Sequence, residues 1–190
     1  MLYRNISQKV VVSTEEFERF AAVFEEKIVQ RGDFVLKIGE IAQHTNYVVQ
    51  GCLKMFSIDA NGYEHVIQFA PEDWWIGDQN SIVSQKPAFV SIQAIEKSVV
   101  FSIPESKMEA IFDECPRVER YFRILAVRRF VALQERVYKG NAQLAEERYL
   151  EFIEKYPTLA QRVPQHDIAS YLGIKPQSLS RIRKNIYLKR

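Results

Sequence analysis

The chain has 190 residues, of which 47% are hydrophobic and 26% are charged, and its formal net charge is +2. This balance excludes a disordered or fibrous chain and leaves room for two folded units. Cys52 and Cys115 are too few and too far apart for a disulfide framework or a thiolate metal site, and no apolar run approaches the roughly 20 residues of a membrane span. We therefore expect a cytoplasmic protein without a membrane segment, a bound metal or a cofactor.

The segment 34–103 is rich in β-forming residues that are interrupted by glycine and proline. Asn61 and Gly62 lie between two such pieces and suit the positive φ angles of a tight hairpin turn. Strands at this spacing predict a barrel or jelly roll. The clearest strand candidates are residues 46–55, 65–69 and 99–103.

The segment 117–139 lacks glycine and proline, and its apolar residues recur at helical intervals. They form two stripes on a predicted long helix. One stripe comprises Val118, Phe122, Leu125, Leu133 and Val137, and the other comprises Tyr121, Ile124, Val127, Val131 and Tyr138. Two apolar faces need two partners, so we expect one face to pack on the β domain and the other on a second copy of the helix. A wholly buried helix in a monomer is the alternative.

Lys139, Gly140 and Asn141 predict the end of this helix, and residues 142–154 predict the next one. Three regions follow: a β domain over 1–116, a dimerisation helix over 117–140 and a small C-terminal domain over 141–190. In the last 35 residues, basic side chains outnumber acidic ones.

That basic stretch, residues 156–190, carries seven basic side chains against Asp167 alone, so its net charge is +6 and the rest of the chain carries −4. A basic end on an acidic body is typical of polyanion binding, because neutralised phosphates supply much of the affinity for nucleic acid. A solvated charged face would give the same count.

The segment VPQHDIASYLGIKPQSLSRIRKNI, residues 163–186, predicts two short helices that cross at a turn. We expect the first helix to begin near Gln165, Gly173 to form the turn and Pro176 to occupy the first position of the second helix. Apolar spacing on both helices predicts a shared buried face, comprising Ile168, Ala169, Leu172, Ile174, Leu179 and Ile182. The pattern is that of a helix-turn-helix, with an ordinary helical hairpin as the alternative.

The polar face of the second predicted helix has the chemistry for entering the major groove of DNA. Arg181 is our first candidate for a base contact, because a guanidinium fork matches base edges, and Gln177 and Ser178 are the next. Lys175 and Lys184 are candidates for phosphate contacts. The sequence therefore predicts a double-stranded DNA partner.

Two parts of the chain resemble the Crp/Fnr family of bacterial transcription regulators. IASYLGIKPQSLSRIRK, residues 168–184, is similar to the family's helix-turn-helix, and Arg181 falls where members place a base-reading arginine. FVLKIGEIAQHTNYVVQGCLKMF (34–56), Gly62 and FAPEDWWIGD (69–78) are similar to its cyclic-nucleotide-binding β-roll. The resemblance implies an α+β fold with a jelly-roll-like sensor, a homodimer formed through helix 117–139, and a roughly palindromic operator. It also makes RNA polymerase a candidate partner.

The C-terminal region departs from the family pattern in two places. Pro176 stands where some members have a further base-reading arginine, so the usual half-site sequence is not implied. Only four residues follow Ile186, so we expect the wing to be short or absent. Its phosphate contacts would then fall to Lys189 and Arg190.

The resemblance also implies an unusual sensor. Members that bind cyclic nucleotides use a Gly-Glu pair and an arginine clamp, whereas this chain has Gly77 and Asp78 in the pair, with Ala88 and Phe89 at the clamp. Without the arginine we expect no cyclic-nucleotide binding. A small-molecule effector that the sequence does not identify is a further possibility, with Trp75, Gly77, Asp78 and Phe89 as pocket candidates. For Trp75, plain core packing is the favoured interpretation.

A rival interpretation is a small-molecule-binding or cupin-like β-barrel protein or enzyme whose C-terminal helices are structural. His44 and His65 lack the H-x-H spacing of cupins, and no nucleophile has a plausible base nearby in the sequence. We therefore expect the chain not to be an enzyme. A family member that regulates without any ligand is a third hypothesis.

Overall fold

A computed structural model describes residues 1–188, so the contacts expected of Lys189 and Arg190 lie outside the described residues. The helices are α1 (Leu2–Ser7), α2 (Thr14–Ala21), α3 (Gln79–Ser84), α4 (Met108–Glu114), α5 (Pro116–Ala142), α6 (Ala145–Lys155), α7 (Pro157–Arg162), α8 (Gln165–Leu172) and α9 (Pro176–Leu188). The strands are β1 (Glu25–Val29), β2 (Phe34–Leu36), β3 (His44–Gln50), β4 (Leu53–Ile58), β5 (Glu64–Ala70), β6 (Trp75–Ile76), β7 (Ser91–Ala94) and β8 (Ser98–Pro104).

The strands form two four-stranded antiparallel sheets. The first sheet has the order β1-β8-β3-β6 and the second has the order β2-β7-β4-β5. Their inner faces enclose an apolar cluster of side chains that includes Leu53, Met55, Ile76 and Val100. This two-sheet roll followed by helices is the predicted α+β architecture.

The predicted strand 46–55 is wrong in one respect, because it is two strands. Gly51 ends β3 with φ +89°, and β4 begins at Leu53. A Cβ atom at position 51 would lie 2.4 Å from the Ser98 hydroxyl and 2.7 Å from the Lys97 carbonyl oxygen. Only glycine fits this close approach of two chain segments.

The β4–β5 turn differs from the predicted two-residue hairpin. Gly62 has φ +82°, whereas Asn61 is not among the residues with positive φ. The Asp59 carboxylate instead accepts hydrogen bonds from the N–H groups of Asn61 and Tyr63. The side chain of an aspartate therefore organises a longer loop, in which one glycine supplies the left-handed position.

The N-terminal helices pack on the outer face of the first sheet. Helix α2 begins at a capping box in which the Ser13 hydroxyl and the Glu16 carboxylate exchange hydrogen bonds with the backbone. Ile6 and Phe20 are fully buried there beside Tyr47 and Trp75. A second core therefore lies outside the roll.

Helix α5 is longer than predicted, because it continues through Gly140 to Ala142. The predicted stop at Lys139–Asn141 is wrong, since a single glycine weakens a helix without ending it. The expected division into one inner and one outer stripe is also wrong. Val118 and Tyr121, one from each stripe, are buried, whereas Val137 and Tyr138, again one from each, are exposed.

The C-terminal helices form a compact bundle on the outer face of the second sheet. Helix α6 begins at Ala145, three residues later than predicted, and the short helix α7 was not predicted. One apolar cluster contains both Phe56 and Val66 of the sheet and Phe152 and Ile168 of the bundle. Among residues 1–188 no strand follows α9, so any wing would have to lie beyond the described residues.

Candidate nucleic-acid interface and sensor site

Helices α8 and α9 meet at the turn that the sequence predicted. Gly173 has φ +65° and caps α8, and the N–H of Ile174 donates to the Ala169 carbonyl oxygen at 2.9 Å. Helix α9 begins at Pro176, where the missing N–H leaves no bond unmade. These two helices form a helix-turn-helix.

Apolar residues from both helices and the turn fix the crossing. Ile168, Ala169 and Leu179 are at most 1% exposed, and Ile174 closes the corner at 6%. Leu172 and Ile182, which were also predicted to lie inside, are half-buried at the edge of the same cluster. Burial of this face orients the opposite face of α9 outward.

All five predicted DNA-contacting residues are exposed: Lys175, Gln177, Ser178, Arg181 and Lys184. None of their side chains makes a recorded hydrogen bond or ion pair with another described residue. Three of the five are cationic, so the face presents positive charge together with an amide and a hydroxyl. Guanidinium and amide groups without an intramolecular partner are suited to base edges, and ammonium groups are suited to phosphates.

Two further residues on this face were missed by sequence reasoning. Ser180 and Asn185 are exposed, and the 3.6-residue period of α9 places them beside Lys184 and Arg181. Asn185 follows Arg181 by four positions, and residues at this spacing lie on the same face of a helix. The sequence could therefore have identified Asn185 as a further candidate.

The residues predicted for an effector pocket do not converge. Trp75 is buried outside the roll, where its indole N–H donates to the Tyr121 hydroxyl at 2.9 Å and its ring packs 4.8 Å from that of Phe122. Phe89 is 58% exposed on the surface. Trp75 therefore lies in a core, which was the favoured interpretation of this residue.

Gly77 and Asp78 lie where α3 begins beside the interior of the roll. A Cβ atom on Gly77 would approach the His44 carbonyl oxygen to 3.3 Å. One Asp78 carboxylate oxygen accepts from the Asn80 N–H at 3.1 Å, and the other is buried without a recorded partner in the described part of the chain. An orphan buried acceptor can receive a hydrogen bond from a ligand donor.

The clamp positions carry no cation. Ala88 is buried in the interior cluster, and its N–H donates to the Glu40 carbonyl oxygen at 2.8 Å. Lys86 is exposed two residues earlier, and its backbone carbonyl is bonded by the Ser81 hydroxyl. A phosphate at this place would lack a bidentate partner.

An open pocket of about 320 Å³ is lined by residues between positions 35 and 46, from β2, β3 and their connection, and by Ile92 of β7. Glu40 and His44 are its only titratable lining groups within the described chain, and its apolar wall includes Leu36 and Ile92. Burial, together with nearby Lys27, lowers the pKa of His44. The pocket is thus lined by a carboxylate and an imidazole whose neutral form is favoured, which does not suit an anion.

The cysteines are poor ligands for a metal or cluster. Cys52 and Cys115 are fully buried and free, and burial raises the pKa of the Cys52 thiol to about 12. A protonated thiol is a weak ligand and a weak nucleophile. Within residues 1–188 no group of three or more acidic, histidine or cysteine side chains is arranged to hold a metal ion.

Known proteins share both the sequence pattern and the fold of this chain. Residues 26–115 match the model of the cyclic nucleotide-binding domain. The fumarate and nitrate reduction regulatory protein of Vibrio cholerae is 24% identical over 193 residues, which cover 94% of this chain and 76% of the relative. The transcriptional activator protein anr of Pseudomonas aeruginosa is 24% identical over 165 residues, covering 81% and 67% of the two chains.

Solved structures share the fold at low identity. FixK2 from Bradyrhizobium japonicum superposes with a TM-score of 0.76 at 16% identity, covering 88% of this chain and 86% of that one. CLP of Xanthomonas campestris, described as a c-di-GMP responsive global regulator, also gives a TM-score of 0.76, at 14% identity, with 93% of both chains covered.

In the described residues no helix is long and apolar enough to cross a membrane.

These features define a class: proteins in which a cyclic-nucleotide-binding-type β-roll is joined by a long helix to a helix-turn-helix. The sequence relatives are transcription regulators of the kind that the sequence resemblance implied, and the solved structures share the fold of this chain.

Proposed function

We propose that the chain is a homodimeric transcription regulator that binds a roughly palindromic operator through helix α9. The observation that carries the proposal is the exposed, unpaired polar face of α9 around Arg181. Arg181 reads a base edge, Gln177 and Ser178 contribute further base contacts, and Lys175 and Lys184 bind phosphates. Such a protein acts in the cytoplasm, where bacterial DNA lies.

The C-terminal half of α5 supports the dimer. Five of its exposed apolar side chains are Val127, Phe130, Val131, Leu133 and Val137, each at least 45% exposed. An apolar stripe of this kind on a long helix is stabilised by an identical stripe across a two-fold axis. Two α9 helices related by that axis would enter successive major grooves about 34 Å apart.

The sensor of this regulator does not respond to cyclic AMP. The clamp position holds buried Ala88, and the neighbouring Phe89 carries no charge. Loss of a bidentate arginine costs about 3 to 5 kcal/mol by analogy with a broken buried ion pair, which is a weakening of more than about a hundredfold. A calorimetric titration should show no binding at micromolar cyclic AMP, and a micromolar dissociation constant would overturn this prediction.

Selection of bound sequences from random double-stranded DNA tests the main proposal. The expected result is an enriched palindrome whose half-sites are separated by about one helical turn, or roughly 10 base pairs. An Arg181→Ala protein selected in parallel should enrich a palindrome with the same spacing but a degenerate position in each half-site. Recovery of unenriched DNA by the unmodified protein would contradict the proposal.

A further inference from the structure

The C-terminal bundle, helices α6–α9, rests on strands β4 and β5 through a partly buried ion cluster as well as apolar contacts. The cluster consists of Lys54, Glu64 and Asp167. The Lys54 ammonium lies 3.1 Å from an Asp167 carboxylate oxygen and 2.5 Å from a Glu64 carboxylate oxygen. The side chains of Lys54 and Asp167 are only 7% and 3% exposed, so this pair is screened from water.

The same contact covers the edge of the second sheet. β5 is the last strand of that sheet, and the Val66 N–H on its free edge donates to the Ser170 hydroxyl at 2.8 Å. That hydroxyl in turn donates to the Glu64 carbonyl oxygen at 2.9 Å. Ser170 and Asp167 both lie on α8, so the first helix of the helix-turn-helix is in direct contact with the sensor.

Strand β4 connects the ion cluster to the interior of the roll. Leu53 and Met55 belong to the interior cluster, whereas Cys52 and Phe56 belong to the cluster shared with the C-terminal bundle. Lys54 has the same parity as Cys52 and Phe56, and its ammonium lies 4.8 Å from the centre of the Phe56 ring. One strand therefore has the sensor interior on one face and the DNA-reading bundle on the other.

A buried ion pair tolerates few geometries. Both charges have lost most of their hydration, so a displacement of α8 that separates the Lys54 ammonium from the Asp167 carboxylate is energetically costly. An apolar interface alone would permit sliding, because dispersion contacts are not directional. The Lys54–Asp167 pair thus selects one orientation of α8, and α9 follows because it packs on α8.

We propose that the ion cluster of Lys54, Glu64 and Asp167 is an orientation lock, which holds the helix-turn-helix at one angle on β4 and so sets the distance between the two recognition helices of a dimer. This inference rests on the proposed DNA binding for its consequence, but not for the lock itself. A shift of β4 caused by an occupant of the roll would act first on this pair, which gives the sensor a direct mechanical connection to α8.

The test begins without DNA. Lys54→Met leaves the buried Asp167 carboxylate with only the exposed His166 imidazole beside it, at 3.4 Å. We therefore expect hydrogen exchange at the Val66 amide and across α8 to accelerate about tenfold or more, while amides of the β3–β8 pair keep their protection. Lys97→Met, which removes an exposed lysine of the same domain, is the matched control and should leave all rates unchanged. Equal exchange in the Lys54→Met protein and the unmodified protein would overturn the lock.

A double variant separates the lock from simple damage. Lys54→Met combined with Asp167→Asn removes both charges and should restore protection at Val66, because no unpaired charge stays buried. Asp167→Asn alone leaves Lys54 with Glu64 and provides a milder second variant should Lys54→Met fail to fold. Failure of the double variant to regain protection beyond that of Lys54→Met would contradict a role for the ion pair.

DNA binding is then measured on a full palindrome and on a single half-site. A bundle free to rotate lowers the effective concentration of the second reader, so Lys54→Met should bind the palindrome about ten- to a hundredfold more weakly and the half-site equally well. Equal weakening on both DNAs would overturn the orientation role. If no variant binds DNA, the proposed function fails while the exchange result still decides whether the lock exists.

Discussion

Gly51 and Gly140 lie in opposite backbone environments. Gly51 has φ +89° and no space for a Cβ atom, whereas Gly140 is inside α5 with nothing within 4 Å of the position that a Cβ would take. Gly51→Ala should lower the free energy of unfolding by about 3 kcal/mol, from backbone strain and overpacking together. Gly140→Ala should raise it by about 0.5 to 1 kcal/mol, because alanine is the better helix former.

Chemical denaturation of the two variants checks this pair. Gly140→Ala serves as the control, since it adds the same methyl group at an open helical position. A Gly51→Ala protein as stable as the unmodified one would show that the β3–β4 connection relaxes around the methyl group.

Arg181 and Lys184 are both exposed on α9, but we expect them to contact different parts of the DNA. Arg181→Ala should cost about 1 to 3 kcal/mol on the selected operator and relax its sequence preference, because a bidentate base contact is lost. Lys184→Ala should weaken binding to all sequences alike and reduce the salt dependence. Titrations on operator and random DNA at two salt concentrations distinguish the roles, and equal losses on both DNAs for Arg181→Ala would exclude base reading.

At the scale of single elements, α5 changes its environment along its length. Its first half packs against α2, α4 and the first sheet through Val118 and Tyr121. Its second half contacts the protein mainly through arginines: Arg129 donates to the Trp75 carbonyl oxygen at 3.1 Å, and the Arg136 guanidinium lies 5.0 Å from the Tyr171 ring. The apolar side chains of that half are thereby left for another partner.

Val131 lies in the middle of this exposed half and is 45% exposed. Val131→Asp should weaken dimerisation by about a hundredfold or more, because a two-fold axis brings two new carboxylates into one apolar contact. Val83→Asp is the matched control, since Val83 is 80% exposed on α3, away from α5. Sedimentation over a concentration series measures the effect, and equal behaviour of the two variants would exclude this half of α5 as the dimer contact.

At the scale of the whole molecule, a second ionic contact joins the C-terminal bundle to the β-roll. The Arg162 guanidinium donates to both carboxylate oxygens of Glu72, at 2.7 and 2.8 Å, and also contacts Glu96. Burial opposes ionisation of Glu72, but hydrogen bonds from Arg162 and from the Gly51 N–H outweigh it and lower the pKa of Glu72. The same two carboxylates raise the pKa of Arg162, which stays charged.

The contact therefore has a defined pH dependence. The pKa of Glu72 is lower in the folded protein than its ordinary value of 4.5, so its stabilising effect is complete above that value and is lost as the pH falls below it. The protection factors of the bundle amides, which correct for the pH dependence of intrinsic exchange, should be constant near neutrality and fall in this acidic range. Arg162→Met should accelerate exchange already at neutral pH and flatten the acidic change, and an unchanged acid profile in that variant would contradict the assignment.

Much of the architecture follows from the sequence alone. The turn at Gly173 and the helix start at Pro176 were predictable because both depend on local backbone chemistry: a left-handed φ angle and a missing N–H. The outward placement of Arg181 followed from helical period. The β-rich region was also recognisable, although the division of 46–55 at Gly51 was not, because it depends on the approach of Ser98 from a distant strand.

Other features were decided only by tertiary structure. Nothing in the local pattern distinguishes Lys54 from a surface lysine, and its burial results from the docking of α8, which lies 113 positions away from it at Asp167. Trp75 likewise faces the outer core whereas Ile76 faces the roll interior, because the two successive residues of β6 point to opposite faces of the sheet. Periodicity and turn chemistry are local and can be read from the chain, whereas the pairing of buried charges and the lining of pockets depend on which distant surfaces meet.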